Sequence, residues 1–218
     1  AQQIALETLV ALAVRERLGE QPAATGKDIR DLLEVQLQDQ PERSRRLEDA
    51  VRKILTGCGL VRHDGRFWQL AHPILGDYFV ACHLAREETG AATIEANLDN
   101  PSWSVLTELY AGLADIGSIA ESYVRRSEME GDQTCLVRIA RWAAIADLQA
   151  PSHRTLIKIL ARSFVLEGIS PAMRLDIGRA IVQSAGESAR AFFVQMLRNT
   201  SPDIRGAAIR GLGWCKSS

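Results

Sequence analysis

The sequence predicts a mainly α-helical protein with one β-hairpin. Three observations support this fold class. Apolar residues recur at helical spacing through most of the 218 residues. Asp64-Gly65 lies between two short apolar runs, which is the strongest local hairpin signal. A sequence pattern near the C-terminal end recurs after 31 residues. With 46% apolar and 24% charged residues, the composition is that of a globular protein with its own core.

Three helices are predicted before the hairpin. The first runs from about Gln3 to Leu18, and the second runs from about Lys27 until Pro41 breaks it. The third, Leu47 to Cys58, has the clearest helical period. The hairpin follows, with Leu60-Val61-Arg62 and Phe67-Trp68-Gln69-Leu70 as its strands. Three helices followed by a hairpin is typical of a winged-helix domain, which we expect to occupy residues 1–88 together with its exit helix.

The chain after Leu70 is predicted to be entirely helical. His72-Pro73 opens a helix that continues to about Arg86, with proline at the favoured first position. Short connections between the later helices predict antiparallel neighbours. These helices are expected near Ala91 to Leu98, Ser102 to Leu113, Ile116 to Met129, Cys135 to Leu148, Ser152 to Glu167, Pro171 to Ser184, Ser188 to Arg198 and Pro202 to Trp214.

The 31-residue repeat predicts stacked helix pairs. Ser170-Pro171-Ala172-Met173-Arg174 recurs as Ser201-Pro202-Asp203-Ile204-Arg205, with serine as the cap and proline at the first helical position. This pattern resembles HEAT repeats, in which an Asp and an Arg lie near the start of the second helix. Asp203 and Arg205 match, whereas the earlier copy has Ala172. We therefore expect a helical linker over residues 89–131 and a HEAT-like superhelix of antiparallel helix pairs over residues 132–218.

The segment Phe67 to Cys82 carries a resemblance to a known family. An aromatic strand, then His72, then Asp77-Tyr78-Phe79-Val80-Ala81 resembles the end of the winged-helix domain in NACHT-type members of the STAND signalling NTPases, which usually have Glu at the Asp77 position. Pro101-Ser102-Trp103 fits the same pattern, and the resemblance covers about Gln3 to Leu113. It implies that His72 is a nucleotide sensor that binds the β-phosphate of ADP.

Physical chemistry is compatible with this role for His72. A helix N-terminus favours phosphate, and an imidazole N–H adds a donor. The alternative is that His72 is a polar helix cap. Pro73 replaces the Asp found in some relatives and removes a backbone donor. Tyr78 and Phe79 are expected in the core, and Asp77 is expected in the first turn, where the helix dipole favours an acid.

The sequence predicts no active site of its own. The string from Gln21 to Asp28 ends in Gly26-Lys27-Asp28 and lacks the first glycine and the hydroxyl of a phosphate-binding loop. Glu87-Glu88 are interpreted as solvated charges. The histidines and cysteines fit no zinc pattern, and the cysteines are expected to be small buried hydrophobes in a reducing, cytoplasmic setting. They are His63, His72, His83 and His153, and Cys58, Cys82, Cys135 and Cys215.

Three functions remain open at this point. The resemblance implies a regulatory arm of a longer protein, with a nucleotide-binding domain before Ala1 that takes ADP or ATP with Mg, and a protein trigger or self-association as partner. No cofactor is expected within this chain itself. The second is a winged-helix DNA-binding regulator. The third is a helical-repeat scaffold for protein interaction. A net charge of −1 makes nucleic acid an unfavoured partner, and no apolar run has membrane-spanning length. The candidate DNA-contacting residues on or beside the third helix are Arg43, Arg45, Arg46, Arg52 and Lys53.

Overall fold

The structure, a computed structural model, describes residues 2–18, 24–25, 27–28, 31, 44–64, 67–130 and 133–215. Within these ranges the chain is mainly helical, with eleven α-helices and a small antiparallel hairpin. Its contacts divide it into two compact units, Ala1–Tyr110 and Ala111–Ser218, here called unit 1 and unit 2. The predicted domain boundaries at residues 88 and 131 stay predictions.

Unit 1 contains five helices, a single 3-10 turn and three strands among its described residues. Most of the predicted second helix lies outside those residues. The elements are α1 (Gln2–Leu18), β1 (Ala24–Thr25), α2 (Ser44–Gly57), β2 (Val61–His63), β3 (Phe67–Leu70), α3 (Pro73–Leu84), α4 (Gly90–Ala96), a 3-10 turn (Pro101–Trp103) and α5 (Ser104–Ala111).

The strands form one antiparallel sheet in the order β1-β3-β2. Val61 pairs with Leu70 across the hairpin, which confirms the predicted strands, while Gly65 lies outside the described residues. On its other side β3 pairs with β1, where Ala24 lies opposite Trp68. The sequence did not predict β1, because a two-residue strand carries no readable alternation of apolar and polar side chains.

Helix α1 packs against α3, and its apolar spacing predicts a core face of Leu6, Leu9, Val10, Ala13 and Val14. Leu9 and Ala13 are buried as predicted, but the buried face is rotated toward Thr8 and Leu12. Its buried residues are centred on Leu9 and Leu12, whereas Leu6, placed on the core face by its spacing, is 44% exposed. Thr8 makes the rotated face possible, because its hydroxyl donates to the Ile4 carbonyl at 2.8 Å and therefore enters the core satisfied.

The described residues of unit 2 form six further helices, which alternate between two layers. Successive helices contact each other, and each layer is continued by the contacts of α6 with α8, of α7 with α9, and of α9 with α11. Buried aromatic side chains such as Phe164 and Phe193 fill the space between the layers. The helices are α6 (Gly117–Glu130), α7 (Cys135–Ile145), α8 (Pro151–Val165), α9 (Pro171–Ala185), α10 (Glu187–Met196) and α11 (Pro202–Trp214).

The repeated serines cap their helices as the sequence predicts. The Ser170 hydroxyl accepts the Met173 N–H at 3.2 Å at the start of α9. The Ser201 hydroxyl accepts the Ile204 N–H at 3.5 Å at the start of α11. Each cap satisfies a backbone donor that has no partner within the helix.

The repeated arginines close the connection that precedes each capped helix. Arg174 donates to the carbonyl of Phe164, and to that of Leu166 at 3.1 Å, at the C-terminal end of α8. Arg205 donates to the carbonyls of Asn199 and Thr200, at 3.0 and 2.7 Å, after α10. A cation is favoured beside carbonyls at the end of a helix, where the backbone carries partial negative charge. The arginine at this position of the repeat therefore holds the turn between two helices.

Candidate functional site

His72 is the N-cap of α3, directly after β3. Its Nδ1 accepts the backbone N–H of Ile74 at 3.2 Å, and its side chain is exposed. An imidazole nitrogen that accepts a hydrogen bond carries no proton, so the neutral ring holds its proton on Nε2. His72 is thus a helix cap that still has one N–H to donate.

The backbone donors at the start of α3 are already used. Pro73 has no N–H, the Ile74 N–H binds the His72 ring, and the Leu75 N–H donates to the His72 carbonyl at 3.0 Å. An anion at this helix end would therefore be bound by the imidazole and the helix dipole rather than by free backbone amides. At the start of α3, the Nε2–H of His72 is therefore the donor that remains for the phosphate expected from the resemblance.

The prediction that Asp77 lies in the first turn of α3 is wrong. It lies in the second turn of α3, and its carboxylate pairs with Arg17 Nε of α1 at 3.1 Å. Burial raises the pKa of Asp77, and the Arg17 charge opposes this only in part. Arg17 also donates to the Ser102 carbonyl, so one guanidinium joins α1, α3 and the 3-10 turn. No sequence signal pairs Arg17 with Asp77, because their spacing is not helical.

The two aromatic residues of the family-like segment have different environments. Phe79 is buried, as predicted, whereas Tyr78 is 43% exposed, so its predicted core position is wrong. Tyr78 shares a hydrogen bond with the Cys82 thiol, and this contact raises the pKa of the tyrosine. One helical turn separates these two residues, so both lie on the same side of α3.

A groove of about 650 Å³ lies between α1 and α3. The α1 side of the groove is an apolar row, Leu6, Val10 and Val14, that the core does not fully bury. The floor is mostly apolar, and charged residues of both signs, such as Glu7, Arg86 and Glu87, line its rim. The floor residues are Leu6, Val10, Ala11, Val14, Phe79 and Cys82.

The other histidines do not form a site. His63 stacks on Trp68 with ring centroids 4.4 Å apart, His83 lies 3.7 Å from Glu87, and His153 is buried in α8. In the part of the chain that the structure describes, no three His, Cys, Asp or Glu side chains are grouped as metal ligands.

All four cysteines are free, and the prediction that they are buried holds only for Cys135. Cys58 is exposed, and Cys82 and Cys215 are partly exposed. The helical period places Cys58 on the apolar face of α2, but α2 ends at Gly57, so the periodicity no longer determines its environment.

In the string that only partly resembles a phosphate-binding loop, Thr25 and Asp28 have a local structural role. The Asp28 carboxylate accepts the backbone N–H and the hydroxyl of Thr25, both at 2.7 Å, and pairs with Arg15 of α1 at 2.9 Å. These hydrogen bonds lower the pKa of Asp28. The contacts join β1 to α1.

The candidate DNA-contacting residues on α2 are only partly described. Arg52 lies over the Trp68 ring, 5.5 Å from its centroid, and Lys53 is exposed. The side chains of the remaining three candidates lie outside the described residues. Stacking on Trp68 gives Arg52 a role within unit 1.

Comparisons with known proteins identify no relative: no family model, no curated protein and no solved structure matches this chain. Among the helices that the structure describes, none combines the length and the apolar character required to cross a membrane.

Proposed function

We propose that this chain is a non-catalytic regulatory arm of a NACHT-type STAND signalling ATPase. In this proposal residues 1–88 are a winged-helix domain, residues 89–131 are a helical linker, and residues 132–218 are a HEAT-like superhelix. The observation that carries the proposal is the geometry of His72, whose Nδ1 is held by the cap while its Nε2–H remains available at an exposed helix end.

Two features of the fold support the two parts of the proposal. Helix α1, β1, α2 and the β2–β3 hairpin follow one another in the order of a winged helix, with β3 as the central strand. In unit 2, α9 and α11 each begin with a serine cap and carry an arginine, Arg174 or Arg205, that closes the preceding turn. This recurrence supports a repeat architecture. Stacked helix pairs provide extended surfaces for a protein trigger or for self-association.

The proposed mechanism is a lock that involves ADP. The nucleotide, with Mg, binds to a nucleotide-binding domain of the same longer protein, and His72 donates from Nε2 to its β-phosphate. Since the ring is oriented by the Ile74 N–H, little side-chain entropy is lost on binding. Exchange of ADP for ATP removes this contact and permits assembly in the cytoplasm.

The substitution His72→Ser distinguishes the capping role of His72 from its proposed role as a nucleotide sensor. Serine accepts a backbone N–H at an N-cap as well as His72 does, but it lacks the reach and the N–H of the ring. The test is the oligomeric state of the intact protein with ADP, compared for wild type, His72→Ser and the matched control His83→Ser on the same helix. We expect assembly without a trigger only for His72→Ser. Resting behaviour equal to wild type would reduce His72 to a cap.

A helical-repeat scaffold is the second candidate, and α7 favours it. This helix exposes Val137 and Ile145, and Leu148, in the turn just after its end, is 65% exposed. Exposed apolar side chains along one helix are typical of a protein-binding surface. Under this alternative, Ile145→Lys abolishes partner binding while His72→Ser has no effect on it.

A further inference from the structure

The near-zero net charge conceals a separation of charge between the units. Residues 1–110 carry 12 Lys and Arg against 17 Asp and Glu, whereas residues 111–218 carry 14 against 10. Unit 2 therefore has an excess of four positive charges, although the whole chain has a net charge of −1. Unit 2 by itself therefore carries the positive charge that attracts anionic partners.

Helix α8 carries the clearest line of positive charge in unit 2. Arg154, Lys158 and Arg162 follow one another at intervals of four residues, and all three are exposed. The helix Pro151–Val165 contains no Asp or Glu. Within the described residues, none of the three cations makes a hydrogen bond or an ion pair. They are called the α8 stripe below.

The buried face of α8 lies opposite the α8 stripe, so the three cations face outward. Leu156, Leu160 and Phe164 are fully buried, and they lie on the other side of α8. At 1.5 Å per residue, the cations are spaced by about 6 Å along the axis and span about 12 Å. Each step of four residues also rotates about 40° beyond a full turn, so the cations form a slanted, outward-facing row on a helix held by the core.

The chemistry of the stripe fits a phosphate backbone better than a protein or a membrane. No large apolar side chain is exposed between Arg154 and Arg162. Protein interfaces need a desolvated apolar or aromatic centre, and interfacial helices need an apolar face, so the stripe lacks what either partner requires. Arg and Lys are the usual donors to nucleic-acid phosphates, which are contacted without reading sequence.

We propose that the outer face of α8 binds the phosphate backbone of nucleic acid without sequence selectivity. This inference is independent of the proposed nucleotide sensor. Three contacts give a dependence of log K on log salt of about −2.7 for a duplex, since each neutralised phosphate contributes about 0.9. The expected affinity is that of non-specific binding, with a Kd of about 10⁻⁴ to 10⁻⁶ M at physiological salt.

The test is the binding of the full chain to a fluorescent random-sequence DNA duplex over a range of salt concentrations. Arg154→Gln with Arg162→Gln removes two contacts and is expected to reduce the slope to about −0.9. The matched control, Arg190→Gln with Arg210→Gln, removes the same charge from exposed positions of α10 and α11 and should keep the wild-type slope. Circular dichroism melting checks that both variants fold.

Three results would overturn the proposal. The first is no binding by wild type at low salt. The second is an equal loss in the control variant, which would mean diffuse attraction by the whole unit. The third is equal or tighter binding to poly-glutamate or to vesicles of anionic phospholipid, since the stripe would then serve an acidic protein or a lipid surface.

Discussion

The two units stabilise their helix ends in different ways. Unit 1 uses contacts that no sequence period relates to one another, such as the Arg17–Asp77 pair and the His72 cap. Unit 2 uses one arrangement twice, with an arginine that closes the turn before its own helix at Arg174 and again at Arg205. A contact that recurs at a fixed spacing is visible in the sequence as a period, whereas contacts without a shared spacing leave no such pattern.

The largest expected effect tests whether the two arginines are equivalent. Arg174 is 6% exposed, while Arg205 is partly exposed, so water can replace only the second. We expect Arg174→Ala to lower the free energy of unfolding by about 3 kcal/mol, because buried carbonyls lose charged donors. Arg205→Ala should cost about 1 kcal/mol. Urea unfolding measures both, and equal costs would contradict the assigned role of burial.

A pair of glycines in α11 tests how closely the repeat packs. A Cβ on Gly211 would lie 2.7 Å from the Phe193 ring, whereas the 31-residue period places Ala180 at the same position in α9. Gly211→Ala is therefore expected to cost about 2 kcal/mol through overpacking.

The matched control is Gly206→Ala in the same helix. A Cβ there meets no atom within 4 Å, so the better helix propensity of alanine should stabilise the protein by up to about 1 kcal/mol. Thermal unfolding of the two variants is the measurement. A stabilising Gly211→Ala would show that the helices of unit 2 pack less tightly than their structure indicates.

The smallest effects, in unit 1, concern pH and have opposite signs. Hydrogen bonds from Thr25 lower the pKa of Asp28, so its contribution to stability is present above its unfolded pKa and is lost as pH falls through the folded value. Burial raises the pKa of Asp77, so the wild type loses stability as pH rises from the unfolded value through the folded one.

Denaturant unfolding between about pH 3 and pH 6, a range that brackets the unperturbed carboxyl pKa, measures both effects. Relative to wild type, Asp28→Asn should become less stable as pH rises, and Asp77→Asn should become more stable. The two variants are matched, because each removes an aspartate that pairs with an arginine of α1. If the stability of both variants relative to wild type changed in the same direction as pH rises, burial would not distinguish the two aspartates.

The sequence predicted the periodic features of the fold and missed those that depend on single side chains. The helices of unit 2, the hairpin strands and the capping serines all follow from period or turn chemistry. The buried face of α1 did not, because Thr8 enters the core through a hydrogen bond to its own helix. The pairing of Asp77 with Arg17 and the exposure of Tyr78 also could not be predicted, since they depend on how α3 meets α1.

The candidate site shows the same limit. The sequence placed His72 at a helix N-terminus, which the structure confirms, but it did not show that the cap occupies Nδ1 and leaves Nε2 as the donor. The charge separation between the units was present in the sequence. It was hidden because the net charge was counted over the whole chain.

The most direct test of the nucleotide-sensor proposal is calorimetry of ADP binding. The samples are this chain alone, the longer protein that the proposal requires, with its nucleotide-binding domain, and that longer protein with His72→Ser. We expect no binding by the chain alone, binding by the longer protein, and at least a tenfold weaker affinity for His72→Ser, equivalent to about 1.4 kcal/mol. An unchanged affinity in the variant would contradict the account, because the ring N–H would then have no part in holding the nucleotide.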